Sequence, residues 1–279
     1  ILGCDGAGVV ETIGTAVTRF KPGDAVYFCS GGLGTDLGNY AEYTVIEEDW
    51  AAFKPRNLSF IEAAGVPLAL ITAWESLFDR ARLQAGHRVL IHAGAGGVGH
   101  LAIQLAHQAG ARVATTVSSL AKAEFCASLG AEAILFYQQK DFVTETNTWT
   151  DGRGVDVALD TVGGAVLSQT FPAVAHYGDV VTLLEPTADT NWKEARMRNL
   201  RVTLEVMLTP MLRELPTARQ HQVSILQAGA ERFEHNTLKI HISETFSLAQ
   251  AAQAHQRLAQ GGVQGKLVLT LHPQAGDCA

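Results

Sequence analysis

Between residues 88 and 136 the apolar positions keep two periods in regular alternation. Val89-Leu90-Ile91 is a short aliphatic run. A glycine cluster follows, and then apolar residues three and four apart: Val98, Leu101, Ala102, Leu105 and Ala106. The first pattern predicts a buried strand over 88–92 and the second an amphipathic helix over 97–109. The alternation continues with strand 112–117, helix 120–129, strand 133–136, a short polar helix, strand 155–160, helix 164–175, strand 178–184 and strand 200–206. A helical pattern at 73–78 precedes it. Strands separated by helices imply a parallel sheet with crossover connections, the α/β doubly wound architecture.

The flanks read differently. Gly8 to Ile13 alternates like a strand, Phe20-Lys21-Pro22-Gly23-Asp24 is a turn into a strand at 25–28, and Tyr40 to Ile46 alternates again. Ser59 and Glu62 have the spacing of a helix capping box. Towards the other end come a helix over about 210–228, a strand at 238–242, a helix at 248–259 and a strand at 266–271. These last pieces are expected to fold back onto the N-terminal β segment. Residues 1–72 and 230–279 would then form a split β-rich domain, with 73–229 inserted as the nucleotide-binding domain. A substrate would lie in the cleft between the two.

Composition narrows the field. The 279 residues carry 28 Asp+Glu against 21 Lys+Arg, with no basic cluster to meet nucleic acid. No apolar run is long enough to span a bilayer, so no membrane partner is expected. The opening Ile1-Leu2-Gly3-Cys4-Asp5 is no signal peptide, and it lacks an initiator Met, as a fragment would. Cysteines stand at 4, 29, 126 and 278 without C-x-x-C spacing, which fits a reduced, cytoplasmic protein.

The glycines carry the chemistry. Gly94, Gly96 and Gly99 make G-x-G-x-x-G between a strand and a helix, the context a dinucleotide site requires. Gly94, Gly96, Gly97, Val98 and Gly99 are therefore the candidate diphosphate-binding turn, where close-approaching N–H groups and a helix N-terminus favour negative charge. A preference for NAD would place a carboxylate at the end of the next strand. That strand, Arg112 to Val117, ends instead in Ser118-Ser119, with Lys122 close behind and no acid before Glu124. Two hydroxyls and an ammonium suit a 2′-phosphate, so NADPH is the expected cofactor.

The chain resembles the zinc-independent quinone oxidoreductases of the medium-chain dehydrogenase/reductase superfamily. The segments that carry the likeness are Gly3-Cys4-Asp5-Gly6-Ala7-Gly8-Val9-Val10, Phe20 to Asp24, Gly38 to Tyr43, Thr72-Ala73-Trp74, Ala93 to Gly99, Leu129-Gly130-Ala131, Asp160 to Gly164 and Gly265 to Leu269. They run nearly end to end, and A-x-x-G-x-x-G (Ala93, Gly96, Gly99) is typical of the non-zinc branch. The resemblance implies a GroES-like catalytic domain plus a Rossmann domain, usually in a homodimer. It implies reduction of quinones or α,β-unsaturated carbonyls by NADPH. By matching position, Gly96, Gly97 and Val98 would line the diphosphate, and Ser118, Lys122 and Tyr137 would hold the 2′-phosphate. Thr72 would lie by the nicotinamide, with helix capping as its competing role. Val162, Gly163 and Leu184 would follow the cofactor over the strand ends. The family has an N-terminal part ahead of the segment where this chain starts, so an N-terminally incomplete chain is expected.

Zinc is not expected. Where the zinc-bearing branch has Gly-His-Glu, this chain has Gly3-Cys4-Asp5, and Leu68 stands where that branch has a further ligand cysteine. A catalytic zinc needs three protein ligands. His87, His92, His100 and His107 read as solvated or core residues. Tyr40 and Tyr43 could donate a proton, but cross-strand packing explains them better. Phe28, Trp50 and Trp74 serve equally as substrate walls or core. The expected function is zinc-independent, NADPH-dependent hydride transfer to a small-molecule quinone or enone. A zinc-type alcohol dehydrogenase relative and a non-catalytic NADPH-binding protein are the alternatives.

Overall fold

The computed structural model describes residues 1–34 and 37–271; Cys278 lies outside the described residues. In chain order the elements are β1 (Asp5–Val9), β2 (Ala25–Cys29), β3 (Ala51–Phe53), α1 (Phe60–Ala64), α2 (Pro67–Trp74), β4 (Arg88–Ile91), α3 (Gly99–Gln108), β5 (Arg112–Val117), α4 (Leu120–Ser128) and β6 (Ala133–Phe136). There follow α5 (Phe142–Trp149), β7 (Val155–Asp160), α6 (Ala165–Thr170), β8 (Val174–Thr182), α7 (Trp192–Met197), β9 (Arg201–Leu204), α8 (Thr209–Leu212), α9 (Pro216–Glu234), β10 (Ile242–Ser247), α10 (Ala251–Ala259) and β11 (Lys266–Thr270).

Contacts divide the chain into two compact units: Ile1–Ile71 with the chain from Met207 on, and Thr72–Val206. The second unit is built on a six-stranded parallel sheet of order β6-β5-β4-β7-β8-β9. Counted from β4 this is 3-2-1-4-5-6, the doubly wound order, with its reversal between β4 and β7. The middle of its central strands is aliphatic, as in a sheet covered on both faces. Val89, Leu90, Ile91, Val157, Ala158 and Leu159 are all buried. On one face Leu90, Ala158 and Val180 pack with Phe142, Leu167 and Phe171.

The first unit holds an antiparallel sheet β1-β2-β3 and a parallel pair β10-β11. Its α1 starts at the capping box read from the sequence: Ser59 Oγ accepts the Glu62 N–H, and the Glu62 carboxylate accepts the Ser59 N–H. Helix α9 belongs to this unit, whereas the sequence pattern groups 207–229 with the nucleotide-binding segment. The Tyr27 hydroxyl donates to the Leu226 carbonyl at 2.5 Å. The Arg219 guanidinium lies 3.3 Å over the Trp50 ring. A Cβ on Gly229 would come within 2.3 Å of Leu70 Cδ2, so the backbone itself packs there.

Several elements differ from the pattern. Residues 40–46 form no strand. The N–H groups of Gly38, Asn39 and Tyr40 are drawn to the carbonyls of Ile1, Gly3 and Leu2, and Tyr43 and Val45 are exposed. The strand at 8–13 is instead β1 at 5–9. The predicted helix 164–175 stops at Thr170, since Pro172 confines the next turn to a tight three-residue form, and β8 begins at Val174. The helix at 210–228 is two helices, the second opening on Pro216. The strand at 238–242 lies further on, at β10.

Candidate active site

Every candidate cofactor residue follows the carboxyl end of a strand in the parallel sheet. Gly94 to Gly99 follow β4, Ser118, Ser119 and Lys122 follow β5, Tyr137 follows β6, Val162 and Gly163 follow β7, and Leu184 follows β8. In open α/β sheets ligands bind along this edge, at the reversal of strand order.

The turn after β4 is held tightly. Ala93 has φ +49°, a left-handed conformation rare outside glycine. Its N–H donates to Thr116 Oγ1 at 3.0 Å, and its carbonyl accepts the Gly96 N–H at 2.9 Å. A Cβ on Gly94 would meet Thr115 Oγ1 at 2.0 Å, and one on Gly99 would meet the Ala93 carbonyl oxygen at 2.4 Å. These two glycines are needed for close packing of strand, turn and helix. A Cβ on Gly96 would meet only the Ala93 oxygen, at 3.2 Å, so that side of the turn is open for a ligand. The His100 N–H donates to the Gly96 carbonyl. Gly97, Val98 and Gly99 come before that bond, in the first turn, where helix N–H groups have no intrahelical acceptor. The backbone therefore fits a diphosphate.

At the end of β5, Ser119 caps α4, its hydroxyl accepting the Lys122 N–H at 3.4 Å. Lys122 Nζ reaches Ser118 Oγ at 3.5 Å, and Glu124 is exposed on the helix. Val117 pairs with Phe136 across β5 and β6, which brings Tyr137, half exposed, beside Ser118. An ammonium and two hydroxyls thus gather at one corner, with Tyr137 at the neighbouring strand's end and no carboxylate at the end of β5.

Beyond the reversal the loops are organised by Asp160, which the sequence reading did not single out. Its buried carboxylate accepts the N–H groups of Val162 and Gly163, each at 2.9 Å, and the Thr182 hydroxyl at 3.1 Å. Gly163 has φ +71°, and a Cβ there would strike Leu184 at 2.7 Å. Val162 and Leu184 remain about half exposed along the edge. The available signal was an acid closing an aliphatic strand just before a Gly-Gly pair. Thr72 is the sixth residue of α2 and buried, so it does not cap a helix.

His92 is buried at the end of β4, its ring edge-on to Phe142. Burial lowers its pKa to about 4, with Asp160 pulling weakly the other way. His100 is also buried, with Nδ1 2.8 Å from the Gly96 carbonyl oxygen.

The positions weighed against a zinc site are Cys4, Asp5 and Leu68. Asp5 accepts the Leu68 N–H at 2.8 Å and lies 3.7 Å from Lys266 Nζ. Burial raises the pKa of Asp5, of the half-buried Cys4 thiol, and of Cys29 still further. Among the described residues no group of three His, Cys, Asp or Glu side chains is placed to hold a metal ion. Nor is any helix among them long and apolar enough to cross a membrane. Tyr40 meets His255, hydroxyl to Nε2 at 3.2 Å, rather than a cross-strand neighbour. Trp74 packs edge-on against Phe78.

The chain is similar to several known proteins. Residues 129–269 match the family model described as zinc-binding dehydrogenase, and residues 1–56 match the alcohol dehydrogenase GroES-like domain. A quinone oxidoreductase from Pseudomonas aeruginosa is 32% identical over 272 residues, 96% of this chain and 81% of that protein. A highly reducing polyketide synthase from Cryptosporiopsis is 39% identical over 187 residues, 65% of this chain, a stretch that is only 7% of the synthase. The crystal structure of Escherichia coli quinone oxidoreductase complexed with NADPH superposes with a TM-score of 0.86 at 26% identity, covering 96% of this chain and 81% of that one.

Proposed function

Because this chain belongs to the medium-chain dehydrogenase/reductase superfamily, and so is an oxidoreductase, we propose that it is a zinc-independent, NADPH-dependent reductase of quinones or α,β-unsaturated carbonyls. One observation carries the choice of NADPH: β5 ends in Ser118 and Ser119 with Lys122 behind them, where a carboxylate would repel a 2′-phosphate. The solved relative complexed with NADPH supports the same choice. The likeness to a stretch of a highly reducing polyketide synthase supports the reductive direction.

In this reading the N–H groups of Gly97 and Val98, with Gly94, Gly96 and Gly99 shaping the turn, bind the diphosphate. Lys122, Ser118, Ser119 and Tyr137 hold the 2′-phosphate. Val162, Gly163 and Leu184 line the nicotinamide half, with Thr72 on the nicotinamide side. When bound, the cofactor supplies a hydride; the protein supplies position and the exclusion of water. Protonation of the reduced oxygen is left to water, so no dedicated acid is assigned. The proposal extends to a homodimer in the cytoplasm acting on a small molecule. The free thiols of Cys4, Cys29 and Cys126 support a reducing compartment.

The test follows loss of reduced-nicotinamide absorbance with NADPH or NADH and a panel of quinones, enones and simple aldehydes. Turnover with NADPH and a quinone or enone is expected. Metal-dependent oxidation of an alcohol, or tight NADPH binding without turnover of any acceptor, would refute the proposal.

A further inference from the structure

One arrangement of protons lets all the hydrogen bonds around His92 form at once. The Thr170 hydroxyl donates its single proton to the Val166 carbonyl at 2.7 Å. Towards His92 Nε2, 2.9 Å away, that hydroxyl is therefore an acceptor, and Nε2 carries the ring proton. A neutral imidazole has only one N–H, so Nδ1 accepts. Its partner, 3.3 Å away, is the Thr116 hydroxyl, which donates to Nδ1 and receives the Ala93 N–H on a lone pair. The backbone of His92 is held as well: its N–H donates to the Leu159 carbonyl, and its carbonyl accepts the Thr161 hydroxyl. Asp160 is the nearby charged group, and its oxygens already take two loop N–H groups and the Thr182 hydroxyl. Burial keeps the ring neutral, as the single-proton arrangement requires.

The end of this relay is Ala93. A non-glycine residue at positive φ persists only where its surroundings over-determine it. The Ala93 carbonyl in turn takes the Gly96 N–H and packs against Gly99. Whatever orients Ala93 orients the N–H groups of Gly97 and Val98. We infer that His92, as the Nε2–H tautomer, is a positioning residue that acts through Thr116 to hold Ala93 and the cofactor turn in its binding conformation. The inference rests on the reading that this turn grips a dinucleotide diphosphate.

Two measurements test it. In the wild-type protein, the ring-nitrogen resonances of His92 are expected to report a neutral Nε2–H tautomer at neutral pH. In variants, affinities for NADPH and for adenosine 2′-phosphate, which has no diphosphate, are compared by calorimetry. Thr116→Val keeps the shape but removes the hydroxyl, and is expected to weaken NADPH about tenfold or more. It should leave adenosine 2′-phosphate unchanged, and Thr116→Ser should restore NADPH binding. An Nδ1–H or charged ring overturns the inference without any variant. So does wild-type NADPH affinity in Thr116→Val, or an equal loss for both ligands. Failure of the wild-type protein to bind NADPH overturns the functional reading itself.

Discussion

Replacing Lys122 by Ala asks the 2′-phosphate question most directly. Among the described residues the half-buried ammonium finds nothing stronger than the Ser118 hydroxyl at 3.5 Å, a long contact that contributes little. Its loss therefore costs the fold almost nothing, and α4 keeps its Ser119 cap because the acceptor there takes the main-chain N–H. Toward a doubly charged phosphate the same ammonium would make a charge-assisted hydrogen bond worth about 1.5–3 kcal/mol. At 1.36 kcal/mol per decade this is a weakening of roughly 10- to 150-fold for NADPH. NADH has no 2′-phosphate and should lose less than about twofold, a difference under ~0.5 kcal/mol. Titration of both cofactors by calorimetry, with thermal unfolding as the control, reads the ratio. An equal loss for both, or no loss for NADPH, would remove Lys122 from the phosphate site and with it the argument from the end of β5.

Two further outcomes follow from the same geometry. Gly94→Ala puts a methyl 2.0 Å from the buried Thr115 hydroxyl, which donates to the Ile91 carbonyl. Overpacking and the disturbed bond should lower unfolding free energy by about 2–4 kcal/mol, whereas Gly96→Ala should cost less than ~1 kcal/mol and instead block NADPH; equal stability of the two variants would refute the assignment of packing to one glycine and ligand approach to the other. The second concerns acid. His92 titrates in the fold near 4, below its ordinary 6.5, so the unfolded chain binds the extra proton first. Stability must fall as pH drops below about 6.5, by up to about 2 kcal/mol at pH 5, before most carboxylates titrate. Urea unfolding between about pH 5 and 7 should show that slope in the wild type and a slope reduced by His92's share in His92→Phe; identical slopes would refute it.

The chain by itself determined the doubly wound sheet and the turn at its centre. Strands β5, β6 and β7 begin and end where the apolar pattern puts them, because a strand buried on both faces and a helix buried on one leave unmistakable periods. The glycine spacing, the absence of an acid at the end of β5 and the capping box at Ser59 are likewise local properties. What depends on distant partners was decided only by the tertiary structure. Residues 40–46 alternate as a strand would, yet the Tyr40 N–H bonds to Leu2, as those of Gly38 and Asn39 just before it bond to Ile1 and Gly3. Helix α9 shows an apolar face but not which unit will cover it; Tyr27, Trp50 and Leu70 do. Asp160 and His92 look like an ordinary strand-end acid and a core histidine until the fold brings Val162, Gly163, Thr116 and Thr170 around them. Periodicity records only whether a side chain is buried. Its hydrogen-bond partner, tens of residues away, exists only once the sheet has closed the distance.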